Sequence, residues 1–226
     1  MPQIFHRSSN SIVNVTIVGG ILLVGAILTV LFTINRTPYI TRKSLAAVQP
    51  IPFSHEHHVR GIGIDCRYCH ASVETGAFAG IPASRTCMTC HSQIWTEAPI
   101  LEPLRESFKN DKPLAWVRIH DTPDFVFFNH SIHINKGVAC VTCHGPVETM
   151  PLMWRQNTLN MEWCTNCHRH PERQIGPREA VFVSKDKGDE ILLRLACDKK
   201  NVGETRLRLA KEYNVVSKMD CSTCHR

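Results

Sequence analysis

The sequence predicts a mostly α and irregular fold with little sheet, one N-terminal transmembrane helix, and a globular remainder whose interior is filled by bound groups as well as side chains. Three observations predict it. Twenty residues from Val15 to Ile34 carry no charge, ten of the 11 cysteines fall into five Cys-x-x-Cys pairs, and 13 prolines punctuate a chain of 226 residues. Aromatic residues make up only 7% of the chain, a lean supply for a core of this size.

The uncharged run, VTIVGGILLVGAILTVLFTI, has the length of one bilayer-crossing helix. A cleaved signal peptide has a shorter apolar stretch and a small-residue cleavage site, and no convincing site follows here, so the segment is read as a retained anchor. Residues 1–40 then form the tail and anchor, and residues 41–226 the globular domain. Flanking charge conflicts with this domain lying outside. Arg7 precedes the run, while Arg36, Arg42 and Lys43 follow it. Large domains translocate largely regardless of such charges, and the chemistry of the cysteine motifs decides the side.

Those motifs are CRYCH, CMTCH, CVTCH, CTNCH and CSTCH, starting at Cys66, Cys87, Cys140, Cys164 and Cys221. Each has the spacing of a c-type haem-attachment signature. On a helical turn, positions i, i+3 and i+4 share a face, so two sulfurs bond the haem vinyl groups while the histidine reaches the iron. The attachment pairs are Cys66 and Cys69, Cys87 and Cys90, Cys140 and Cys143, Cys164 and Cys167, and Cys221 and Cys224. The proximal iron ligands are His70, His91, His144, His168 and His225. Zinc sites also use paired Cys-x-x-Cys units, but they do not require a histidine after every second cysteine, and five pairs do not divide into sites of two. The expected cofactor set is therefore five c-type haems. Haem attachment of this kind places the domain on the periplasmic or extracytoplasmic side of the cytoplasmic membrane, as a single-pass protein.

The formal charge of +6 would otherwise suggest an acidic partner. Five haems with ionised propionates change it to about +1 in the ferric state and about −4 in the ferrous state. No run of Lys and Arg interleaved with aromatics supports nucleic-acid binding.

Motif spacings alternate between short and long, which indicates a duplication. Phe53, His55 and His58 recur as Phe128, His130 and His133, shifted by 75; Cys66 recurs as Cys140, and Val73-Glu74-Thr75 as Val147-Glu148-Thr149, shifted by 74. Two units, about 53–91 and 128–168, carry two motifs each, and the extension 169–226 carries the fifth. His55 with His58, and His130 with His133, share helical faces, but one iron has one open position. Each pair is therefore expected to serve two haems. His120 ranks first for the fifth sixth-ligand position, with His57 and His170 behind it. Met161, just ahead of the fourth motif, is the leading methionine for Met/His ligation, which would raise that haem's reduction potential; plain packing of a flexible side chain is the competing reading.

Short helices are expected at each motif, and one or two amphipathic helices between Glu190 and Tyr213. Cys197, among apolar residues at helical spacing, is expected to be a small buried hydrophobe without a function.

The FxHxxH elements ahead of CxxCH resemble class III, c3- and c7-like cytochromes over residues 53–91 and 128–168. With the anchor, five motifs and the string PDFVFFNHSIHINKGVACVTCHGPVETM, the whole chain resembles the pentahaem cytochrome c subunit of alternative complex III, a quinol:electron acceptor oxidoreductase. That resemblance implies an electron-carrier subunit, without its own catalytic site, relaying electrons from quinol oxidation. Its implied partners are iron–sulfur, integral-membrane and monohaem cytochrome subunits. A free-standing membrane-anchored multihaem quinol dehydrogenase is the alternative.

Overall fold

The structure, a computed structural model, describes residues 4–225. The chain divides into Met1–Lys43 and Ser44–Arg226.

In the first unit, α1 spans Ser9–Asn35, 27 residues, beginning earlier than the uncharged run itself. At 1.5 Å per residue it is about 40 Å long, enough to cross a bilayer with some tilt. No residue of α1 is buried within the protein. Its polar side chains satisfy themselves: Thr16, Thr29 and Asn35 donate to the carbonyls of Ile12, Gly25 and Leu31 four residues back, and Thr33 to that of Val30. In hydrocarbon, where water offers no partner, that bonding removes the cost of bare hydroxyl and amide groups. A short helix α2, Pro38–Thr41, follows, with proline at its first position, where the missing N–H costs nothing.

In the second unit each haem motif nucleates its own short element. These are α3 (Cys66–Cys69), α4 (Ser84–His91), α7 (Cys140–His144), α8 (Met161–Arg169) and a 3₁₀ turn at Cys221–Thr223. Side-chain caps start several of them. Asp65 accepts from the Arg67 N–H ahead of α3, and Asn160 from the Trp163 N–H ahead of α8. Between the motifs lie α5 (Glu102–Lys109) and α6 (His130–Asn135), the latter capped by Asn129. The expected amphipathic region forms two helices, α9 (Lys185–Ala196) and α10 (Val202–Glu212). No strand forms among the described residues; three isolated antiparallel pairings, Ala46–Trp154, Val126–His225 and Val138–Ile175, tie distant loops together.

The core is split into three small clusters. Ile175, Leu192, Leu209, Ala210 and Tyr213 pack α9 against α10; Ile51, Leu101 and Leu104 pack beside α4; Val73, Ile134 and Val181 join the two repeat units. Large apolar residues outside these clusters stay exposed, among them Phe78 at 74%, Trp95 at 63% and Phe125 at 63%. That much exposed aromatic surface calls for a covering group.

One expectation fails here. Cys197 is exposed, not buried. Helix α9 stops at Ala196, and Cys197 takes the left-handed capping conformation with φ 59°, which turns it off the apolar face that the helical spacing implied.

Candidate haem-binding site

The two repeat units build the same local device. Phe53 stacks on His58 at 4.4 Å between ring centroids and meets His55 edge-on at 4.9 Å; Phe128 stacks on His133 at 4.5 Å and meets His130 edge-on at 4.7 Å. His58 Nδ1–H donates to the Ser54 carbonyl at 2.8 Å, and His133 Nδ1–H to the Asn129 carbonyl at 2.7 Å, each four residues back. Ring and backbone together fix the imidazole orientation and leave Nε2 free, the arrangement that orients metal-bound histidines.

The same wiring recurs in four of the five CxxCH histidines. Nδ1 of His70 bonds the Gly80 carbonyl at 2.6 Å, that of His91 the Ile94 carbonyl at 3.3 Å, that of His168 the Lys218 carbonyl at 3.1 Å, and that of His225 the Phe125 carbonyl at 3.2 Å. His130 Nδ1 bonds the Ala77 carbonyl at 2.8 Å. Seven histidines thus have Nδ1 held by a backbone carbonyl. Sequence spacing identified the imidazoles but not these carbonyls, because a backbone acceptor leaves no residue-type signature; the recurrence of Phe53 as Phe128 was the one visible trace of the stacking.

Pairwise distances then sort the histidines. Two imidazoles on opposite faces of one iron, each nitrogen about 2.0 Å from the metal, hold their ring centroids roughly 6 Å apart. His58 and His91 lie 6.2 Å apart at 62°, and His133 and His168 lie 6.0 Å apart at 64°. His130 and His144 lie 6.3 Å apart and nearly parallel, at 12°. His120 sits closer to His144, at 4.2 Å, too near for an iron between the two rings.

His55, His120 and His144 lie together beside His70 and His130, and burial holds those three imidazoles neutral. Burial first, then the neighbouring imidazoles His120, His130, His70 and His55, lowers the His144 pKa to about 3. Burial likewise brings His55 and His120 to about 4, with His70 and His58 adding to the first, and Arg155 and His130 to the second. A neutral imidazole has the lone pair that iron requires. The cluster also holds two buried ring nitrogens without a protein partner, His55 Nδ1 and His120 Nε2. An unpartnered buried nitrogen costs about 1–3 kcal/mol unless something binds it, so the residues fit an iron-bound group. Zinc fits less well: among the described residues, no three His, Cys, Asp or Glu side chains converge on one point.

His57 and His170 lie outside this geometry. His57 is exposed with its ring 6.2 Å from Trp95, and His170 lies 3.5 Å from the Glu172 carboxylate. Met161 is the first residue of α8 and 68% exposed, so it is not part of the protein's side-chain core.

Residues 126–226 match the family of cytochrome c7 and related cytochrome c. Over 182 residues the chain is 29% identical to the menaquinone reductase multiheme cytochrome c subunit of Nitratidesulfovibrio vulgaris, covering 79% of this chain and 77% of that protein. It is 31% identical over 81 residues to cytochrome c-552 of Porphyromonas gingivalis, which covers 30% of this chain and 15% of that protein. The globular unit is a multihaem, cytochrome c7-like fold. Its cofactor is c-type haem with iron, and its work is electron transfer. These likenesses are to multihaem c-type cytochromes and do not reach alternative complex III specifically.

Proposed function

We propose that the chain carries five covalently bound haems and serves as the membrane-anchored, extracytoplasmic electron-relay subunit of a quinone-linked respiratory or photosynthetic complex. The observation that carries this reading is the repeated pairing of imidazoles about 6 Å apart, each with Nδ1 held by a carbonyl and Nε2 free. Haem iron, when bound, supplies one-electron redox chemistry. The chain's own part is to fix the ligands. Cys66, Cys69, Cys87, Cys90, Cys140, Cys143, Cys164, Cys167, Cys221 and Cys224 anchor the groups. His70, His91, His144, His168 and His225 bind from the proximal side. In this reading His58 completes the second site and His133 the fourth, while His55, His130 and His120 share the first and third. Their count exceeds the two irons there by one. Met161 is kept as a lower-ranked candidate for a sixth ligand.

By resemblance, the complex is of the alternative complex III type, oxidising quinol and passing electrons through this subunit to a monohaem cytochrome or another acceptor, beside iron–sulfur and integral-membrane subunits. The relative named as a menaquinone reductase subunit favours a second reading, in which electrons run the other way and reduce quinone. Purification of the native complex tests both. The expected result is co-purifying subunits, five haems in the denatured mass of this chain, and low-spin spectra throughout. Quinol reducing the haems in the absence of another donor supports oxidation, whereas haem re-oxidation on adding quinone supports the reverse direction. A chain that purifies alone and shows a high-spin haem responding to quinol analogues would establish the free-standing quinol dehydrogenase instead.

A further inference from the structure

We infer that Arg155 is the positioning residue for His120: its guanidinium grips the backbone on both sides of that histidine and holds the imidazole beside the third haem-attachment motif. This rests on the reading above in which His120 is a haem ligand, and it adds the residue that keeps it in place.

Arg155 is a buried arginine, 9% exposed. Its Nε–H donates to the Ile119 carbonyl at 3.0 Å, and an Nη2–H donates to the Asp121 carbonyl at 3.0 Å. The two acceptors flank His120 in sequence, so one planar fork fixes the backbone before and after it. A guanidinium is costly to bury, and these charge-assisted bonds offset that cost. The grip stays on the backbone and leaves the ring available: His120 Nε2 is buried with no protein partner, and the ring lies 4.2 Å from that of His144, at 69°.

The segment that carries the arginine is tied at the same time to the motif that His120 faces. Ala46 pairs with Trp154, and the Ser44 N–H donates to the Arg155 carbonyl at 2.7 Å, which fixes the arginine's own backbone. Gln156 packs over Gly145, the residue after His144, so closely that a Cβ at Gly145 would come within 2.7 Å of it. Asn157 then donates to the carbonyls of Thr142 at 3.1 Å and Cys143 at 2.9 Å, inside CVTCH. Trp154 to Asn157 is therefore a strap that joins His120 to α7. The motif has other holds as well: the Cys66 and Cys140 thiols hydrogen-bond to each other, and the Cys140 N–H donates to the Val181 carbonyl at 3.1 Å. Loosening Arg155 thus frees His120 without freeing the motif.

The matched stretch of the first unit does a different job. Shifted by 74, Trp154 corresponds to Gly80, whose carbonyl takes Nδ1 of His70 at 2.6 Å, and Arg155 corresponds to Ile81. There the chain after the motif orients the motif's own histidine. In the second unit it carries a guanidinium instead and orients a histidine from a separate loop.

The test is redox titration and electron paramagnetic resonance of the haem-loaded full chain within its complex, for Arg155→Lys, His120→Ala and the double variant, each with five haems in the denatured mass. Lysine keeps the charge but lacks the planar fork. The expected result is that Arg155→Lys shifts one of the five components, the same one that His120→Ala shifts, and that adding Arg155→Lys to His120→Ala moves it no further. A shift in His120→Ala with none in Arg155→Lys, a shift in another component, or an additional shift in the double variant would overturn the positioning role while leaving His120 a ligand. No shift in His120→Ala would overturn the ligand reading itself. If Arg155→Lys loads fewer haems, a high-resolution map of the unmodified complex decides: the guanidinium on the carbonyls of 119 and 121 with His120 on an iron is expected, and His120 on an iron with the guanidinium elsewhere would overturn the inference.

Discussion

The repeat units 53–91 and 128–168 hold their Phe and His rings alike and their backbones differently. Ring distances for the Phe-His-His device agree to within about 0.2 Å between the two units, and the angles between stacked rings, 26° and 28°, are nearly the same. The backbone beneath is a π-helix, Glu56–Gly61, in the first unit and an α-helix, His130–Asn135, in the second. The cause is a single residue. Eight positions separate His58 from Cys66 but seven separate His133 from Cys140, which is why the repeat shift falls from 75 to 74. A π turn absorbs one extra residue without disturbing what precedes or follows it. The Ile62 N–H reaches back five residues to the His57 carbonyl at 3.1 Å, and pairing resumes at Gly63, which corresponds to Gly137. The ring geometry is the constrained quantity, and the helix type adjusts around it.

Substitutions at matched positions probe that comparison. The largest contrast is expected at the glycines. Gly63 and Gly137 share a left-handed backbone, φ 79° and 81°, but a Cβ at Gly63 meets nothing within 4 Å, whereas at Gly137 it would lie 2.4 Å from the Gly176 carbonyl oxygen. Gly63→Ala should cost about 1–2 kcal/mol from conformation alone, and Gly137→Ala about 3 kcal/mol or more once the backbone clash is added. Thermal unfolding of the two variants checks this, and equal losses would mean that the units tolerate strain alike.

A smaller and symmetric effect is expected from His58→Met and His133→Met. Each exchanges one imidazole for a thioether, which should raise one haem's potential by roughly 100 mV, a fraction of the ≈ 0.8 V that axial ligands span. Redox titration should show one shifted component in each variant, similar in size. Unequal shifts would mean that the shared ring geometry does not extend to the irons.

The smallest effect separates the shared histidine cluster from the Phe-stacked pairs. His55, His120 and His144 have folded pKa values of about 4, 4 and 3, below the ordinary 6.5. Between those values the unfolded chain binds more protons than the folded one, so stability is full above about pH 6.5 and falls as pH drops toward 4. The haem-free chain should show this loss in thermal unfolding between pH 7 and pH 5. His120→Asn should reduce its slope, and an unchanged slope would remove His120 from the buried cluster.

Much of this site was legible in the sequence because it is local. CxxCH, FxHxxH and the repeat shift each lie within a few residues, and short helices carry them into space almost unaltered. What stayed hidden depends on contacts across the chain or on backbone detail. The pairing of His58 with His91 and of His133 with His168 crosses 33 and 35 positions of sequence. Cys197 looked buried because Leu195 and Ala196 continue the apolar rhythm, but the helix ends one residue earlier without the glycine that usually marks such a stop. The extra residue that becomes a π turn was present as an unexplained drop from 75 to 74.

The facing thiols of Cys66 and Cys140 bear on how the protein is made. In an oxidising compartment, two thiols close enough to share a hydrogen bond are poised for a disulfide. A bridge between positions 66 and 140 would take one sulfur from each of two attachment pairs and leave two groups half anchored. Burial gives no full protection, since hydrogen bonding from Cys140 lowers the Cys66 thiol pKa. If the domain matures in such a compartment, thioether formation at these two cysteines is expected to precede the collapse that brings the repeat units together.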